Sequence, residues 1–219
     1  ELKFTGFIKA KKQDISAVPS AYIGKETPEN ITIGMMTGNI DVFGKNYTEN
    51  SLVVNIRSQM SSIGNNVDTI AERAFAETLN LHMRCPNMVL GELFILPITG
   101  LKMNEVKKNN PVYEPIIKTK KKKNSKTTAE SIETVINTYS SINNRNIASD
   151  EGYKYERLCL ILADFSQTPV KIYKTTAELI ADNLLPNGST ATLNGLEFDT
   201  FISDLLNIYS TRFGTGKFN

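Results

Sequence analysis

Apolar residues along this chain recur with two different periods. Leu52, Val54 and Ile56 alternate with Val53, Asn55 and Arg57, a two-residue repeat that predicts a strand over 52–58 with the apolar trio on one face. Val67, Ile70, Ala71, Ala74, Phe75 and Leu79 recur three and four apart and predict a helix from about 67 to 84. Asn66 or Asp68 can cap its start, and Pro86 follows its end. The nearly continuous apolar run from Met88 to Ile98 suits a strand buried on both faces. Ile132, Val135, Ile136, Tyr139 and Ile142 mark a second amphipathic helix; 158–165 and 170–173 read as strands, and 176–184 and 197–209 as closing helices. Nearer the N-terminus, short strands are expected over 2–9 and 31–36, the second followed by the Thr37-Gly38-Asn39 turn signal, and Ile40–Phe43 continues or partners it. The order of elements predicts an α/β fold, a mixed sheet covered by helices on both sides. With no internal repeat or linker, 219 residues fit one domain, 1–219.

Composition narrows the chemistry more than the fold. His82 is the single histidine, which argues against a serine–histidine hydrolase or a His-rich metal site and leaves carboxylates, Lys, Arg, Ser and Tyr for catalysis. His82 itself reads as a satisfied, semi-buried residue. Two cysteines, Cys85 and Cys159, make no disulfide framework, so a reduced, cytoplasmic setting is expected. The apolar stretches are too short and too polar to span a bilayer. The start at Glu1, without a Met, reads as a trimmed N-terminus. Net charge is only +2, yet Lys118, Lys120, Lys121, Lys122, Lys123 and Lys126 crowd one segment. Such a cluster is either a solvated loop or a patch that neutralises phosphates.

On the predicted strand 52–58, Asn55 and Arg57 share the face opposite the apolar trio, and a polar pair on a buried strand needs partners or a cleft. If 31–43 and 52–58 pair antiparallel around the polar loop 44–50, Asp41 converges with Asn55 and Arg57. Arg73 and Glu77 stand four apart on the predicted helix, the spacing of a surface ion pair.

Two parts of the chain carry a family resemblance. They are Val53-Val54-Asn55-Ile56-Arg57-Ser58-Gln59-Met60-Ser61-Ser62, continuing through Glu72-Arg73-Ala74-Phe75-Ala76-Glu77 and Asn80-Leu81-His82 to Leu90-Gly91-Glu92, and Tyr153-Lys154-Tyr155-Glu156-Arg157-Leu158-Cys159 with Ala163-Asp164-Phe165. Across roughly 39–98 and 153–206 the chain resembles type II restriction endonucleases of the PD-(D/E)XK superfamily. The resemblance implies a restriction-endonuclease-like mixed sheet flanked by helices, Mg²⁺ as cofactor, and hydrolysis of phosphodiester bonds in double-stranded DNA at a specific sequence. It also implies a homodimer, since a two-fold enzyme cuts both strands of a palindrome.

Carried onto this chain, the resemblance makes Asp41 the first acid and a metal ligand, Asn55 a weaker ligand or water-positioning group, and Arg57 the cation near the attacked phosphate. Two departures stand out. Ile40 replaces the usual proline, and Asn55-x-Arg57 replaces the acid-x-lysine pair; arginine stabilises charge but cannot accept a proton. Some members of the superfamily carry the missing acid on the following helix, where Glu72 and Glu77 both flank the apolar face and either can complete the site. Ser58, Gln59, Ser61, Ser62, Asn65 and Asn66 suit contacts to bases and phosphates, or form an ordinary polar loop, and Lys120 to Lys123 suit phosphates. The rivals are a DNA-binding protein whose nuclease site has decayed, and an interaction protein without a nucleic-acid role.

Overall fold

The alternating strand and the apolar run become neighbours in one sheet. The computed structural model describes residues 2–58, 63–101, 112–115 and 128–218. In it β3 (Ile15–Ala17), β6 (Leu52–Ser58), β7 (Val89–Pro97), β10 (Arg157–Asp164) and β11 (Lys171–Tyr173) hydrogen-bond in the order β11–β10–β7–β6–β3. β6, β7 and β10 are parallel, and the two edge strands are antiparallel to their neighbours. Parallel strands need long crossovers. Helix α2 (Ile63–His82) lies between β6 and β7 in the chain, and α3 (Thr128–Ser141) between β7 and β10.

The two sheet faces bury different partners. Val53, Leu90, Phe94, Leu96, Leu158, Leu160 and Leu162 pack with Ala74 and Leu81 of α2 and with Ile132, Val135, Ile136 and Tyr139 of α3. Leu52, Val54, Val89 and Cys159 pack with Phe201, Leu205, Ile208 and Tyr209 of α5 (Phe198–Phe213), which follows the short α4 (Thr176–Ala181). The chain is thus mixed α/β, with a five-stranded mixed sheet flanked by helices. Side chains of α5 lie directly over Gly91. A Cβ there would stand 2.6 Å from Leu205 Cδ1 and 3.2 Å from Val54 Cγ2. Gly91→Ala is therefore expected to cost about 1–3 kcal/mol by overpacking, which a urea titration would measure; an unchanged midpoint would mean the layers separate freely.

The N-terminal part departs from the expected pairing. Residues 31–36 form no strand; Gly34 and Gly38 take φ of +81° and +86° and turn the chain. Only β4 (Glu29–Asn30) and β5 (Ile40–Asp41) pair there, with each other, and the antiparallel neighbour of β6 is β3. An aromatic cluster accounts for this. Phe43 and Tyr47, the latter on α1 (Lys45–Glu49), pack against Phe4 on β1 (Lys3–Thr5), with ring centroids 5.7 and 6.4 Å from it. Their burial draws 40–49 toward the N-terminal hairpin of β1 with β2 (Ala10–Lys12) and away from β6. β8 (Thr99–Leu101) pairs antiparallel with β9 (Tyr113–Pro115). Both cysteines are free and buried, and among the described residues no helix is long and apolar enough to cross a membrane.

Candidate active site

The polar face of β6 meets an acid that the apolar run conceals. In the parallel register Asn55 pairs with Glu92, so the two side chains stand on adjacent strands and the same face, roughly 4.8 Å apart by strand spacing. Glu92 is fully buried. Tyr155 Oη donates to Glu92 Oε2 at 2.5 Å and Arg57 Nε stands 2.8 Å from Glu92 Oε1. From the other side, Glu77 of α2 contacts both Arg57 and Lys11. Glu77 lies three residues after Ala74 and seven after Ile70, so helical periodicity turns it toward the sheet with them. The expected Arg73–Glu77 pair is replaced by these contacts, and Arg73 is exposed.

Arg57 thus bridges two carboxylates. Glu77 Oε2 and Glu92 Oε1 are buried, and Arg57 offsets the charge of both. Burial pushes the Glu92 carboxyl above its ordinary value, and the Arg57 charge and the Tyr155 hydrogen bond offset that only in part. Beside them opens a cleft of about 240 Å³ lined by Arg57, Ser58, Ile70, Arg73 and Phe94. Asp14 Oδ2 accepts the Ile56 N–H at 2.7 Å on the outer side of β6.

The remaining sequence-derived candidates fall in several places. Asp41 does not join Asn55 and Arg57, because β5 pairs with β4; it is fully buried against Arg84, with Nη1 2.6 Å from Oδ2, and accepts from Thr5 Oγ1. Arg84 also holds Glu29 at 2.6 Å, so this group ties the N-terminal hairpins to the end of α2. Glu72 is exposed on α2. Ser58 lines the cleft, Asn65 and Asn66 lie near the start of α2, and Gln59, Ser61, Ser62 and the cluster Lys118 to Lys126 lie outside the described residues. His82 is buried with both ring nitrogens near carbonyls, Nδ1 at 2.9 Å from Gly152 O and Nε2 at 3.2 Å from Met88 O.

Sequence reasoning passed over Glu92, Tyr155 and Lys11 as site residues. The signal for Glu92 was available. It is the one charge inside the run Met88–Ile98, and a charge on a strand buried on both faces requires a partner. A second buried acid, Glu156, has a different setting. Its Oε1 stands 2.6 Å from Arg145 Nη1 and 2.7 Å from Arg212 Nη1, Oε2 accepts the Leu90 N–H at 2.8 Å, and His82 Nε2 lies 3.4 Å away. This acid is saturated with partners and joins α2, β7, β10 and α5 as a structural hub.

The chain matches no known protein-family model, no curated protein and no solved structure. The family reading therefore rests on the quoted residues and on the geometry around Arg57.

Proposed function

We propose that this chain is a magnesium-dependent endonuclease of the PD-(D/E)XK type that cuts double-stranded DNA at a specific sequence, acting as a homodimer in the cytoplasm. The observation that carries the reading is the pair of carboxylates, Glu77 and Glu92, brought from a helix and a strand to one arginine at the mouth of a cleft. The acids proposed for the metal are thus Glu77 and Glu92, with Asn55 beside them, in place of Asp41. The donor set suits the ion. Mg²⁺ takes hard oxygens, commonly one or two carboxylates, with waters and substrate phosphates filling the remaining positions. Among the described residues no three His, Cys, Asp or Glu side chains cluster to hold a metal ion, so this reading needs water and substrate phosphate for the remaining positions. Bound there, Mg²⁺ would supply an activated water and offset charge on the phosphate.

The protein groups have separable roles in this reading. Tyr155 holds Glu92 Oε2, which leaves Oε1 toward Arg57. Arg57 balances the acids without metal, and its guanidinium lines the cleft beside both carboxylates, where it can offset a developing phosphate charge. A second reading, DNA binding without chemistry, draws on the closure of both carboxylates by Arg57 and Lys11. Incubation of wild type with mixed-sequence duplex DNA, with and without Mg²⁺, followed by mapping of cut ends, separates the two. Arg57→Ala should lower turnover per folded molecule on the order of 100-fold, with Arg57→Lys in between. Full activity in a folded Arg57→Ala protein would sink the assignment of the site to β6, and no cutting by wild type in Mg²⁺ would sink the nuclease reading.

A further inference from the structure

The N-terminal hairpin and α2 enclose a groove that the carboxylate pair alone does not explain. It is about 180 Å³, lined by Ile8, Lys9, Arg73, Ala76, Glu77 and Asn80. Arg73 also lines the cleft beside Arg57 and Ser58, so the two spaces adjoin across its side chain. Together they form a trough along the flank of α2, between the N-terminal hairpin and the end of β6. Lys9, Arg73 and Arg57 are its cations, and Glu77 lies beside them.

The wall that carries Lys9 is built, not loose. Asn80 Oδ1 accepts the N–H groups of Ile8 and Lys9 at 2.6 and 3.1 Å, and Asn80 Nδ2 donates to Lys9 O at 3.1 Å. Phe7 N–H donates to Asn80 O at 2.7 Å. Gly6 makes room for this clamp, since a Cβ there would stand 2.4 Å from Asn80 Nδ2. A buried amide on α2 thus fixes the hairpin turn that presents Lys9. Lys9 and Arg73 are both exposed, and among the described residues neither forms an ion pair. Cations held along a groove without carboxylate partners suit a polyanion that brings its own charge.

We infer that this trough is the path of one DNA strand. Lys9 and Arg73 contact backbone phosphates on the hairpin side, and Arg57 with Ser58 faces the phosphate nearest the two carboxylates. The strand's direction toward Glu77 and Glu92 rests on the nuclease reading; phosphate contact by Lys9 and Arg73 does not. These contacts carry no sequence information, so they act on all duplexes alike.

Binding measured without any divalent metal tests this apart from cleavage. A mixed-sequence duplex is titrated with wild type and with the double variant Lys9→Gln/Arg73→Gln across a range of salt. Each removed phosphate contact should lower the slope of log K against log salt by about one, and binding at low salt should weaken on the order of tenfold. Lys171→Gln/Lys174→Gln removes the same charge from β11 at the far edge of the sheet and just beyond it, and should leave most of the slope in place. Thermal midpoints confirm that each variant is folded. An unchanged slope in a folded Lys9/Arg73 variant overturns the proposal, as does an equal loss in the Lys171/Lys174 control or no DNA binding by wild type. The expected loss with a wild type that never cuts DNA supports the trough and removes the nuclease reading alone.

Discussion

Glu92→Gln is expected to reduce Mg²⁺-dependent cleavage on the order of 100-fold or more while leaving the thermal midpoint at neutral pH unchanged or higher. The two halves have one cause. Glutamine keeps the shape and still accepts from Tyr155 Oη, but it cannot bring a carboxylate to a cation. For stability, the sign follows from burial, which holds the Glu92 carboxyl above its ordinary 4.5 in the folded state despite Arg57 and Tyr155. The folded protein then binds this proton more tightly than the unfolded chain does. Its stabilising effect is fully present below 4.5 and is lost as pH rises through the folded value. Glutamine mimics the protonated form, so it removes that loss at neutral pH. Cleavage at the wild-type rate would remove Glu92 from the site. A large drop in midpoint would make it a structural partner of Arg57 instead.

Glu156→Ala should do the reverse, with stability falling by about 3–5 kcal/mol because the change strands buried cations. Arg145 is almost fully buried, Arg212 nearly so, and His82 stands close by. Burial alone would raise the Glu156 carboxyl, but His82, Arg212 and Arg145 outweigh it and hold it below 4.5. Its contribution is therefore complete above 4.5 and is lost as pH falls through the lowered folded value. Urea unfolding of wild type and variant at neutral and acid pH measures both features. A cost under about 1 kcal/mol, the scale of an exposed pair, would show that the hub is solvated.

The two carboxylates show how far pattern alone reaches. Helix α2 and strand β7 were legible because period and run length reflect burial, and α2 differs from its expected span of 67–84 only at its ends. The facing of α2 was less legible. Phe75 counts as apolar in the periodicity yet is 41% exposed, because it stacks on Tyr153 at the rim, with centroids 5.1 Å apart. The inward face instead carries Ala74, Thr78 and Leu81, with Glu77 at its side. Asp41 looked like a site acid because local spacing assumed a hairpin with β6. What placed it elsewhere was contact of Phe43 and Tyr47 with Phe4, which is remote in sequence and invisible to any local period. Glu92 was hidden for the opposite reason: it sits inside a nearly continuous apolar run, where an acid reads as an exception.

Asp14 has a consequence for how molecules of this protein meet. β3 covers β6 only as far as Val54, and the next outward N–H on that edge, at Ile56, ends on the Asp14 carboxylate. A side chain there does what the carbonyl of another strand would do. An incoming strand from a second molecule would have to displace a charged oxygen from its backbone donor and desolvate it. The polar end of β6 can therefore lie open beside a cleft without serving as a template for sheet extension, a hazard that uncovered edges carry. By this account Asp14 guards the protein against self-association at the very edge that the Arg57 cleft leaves open.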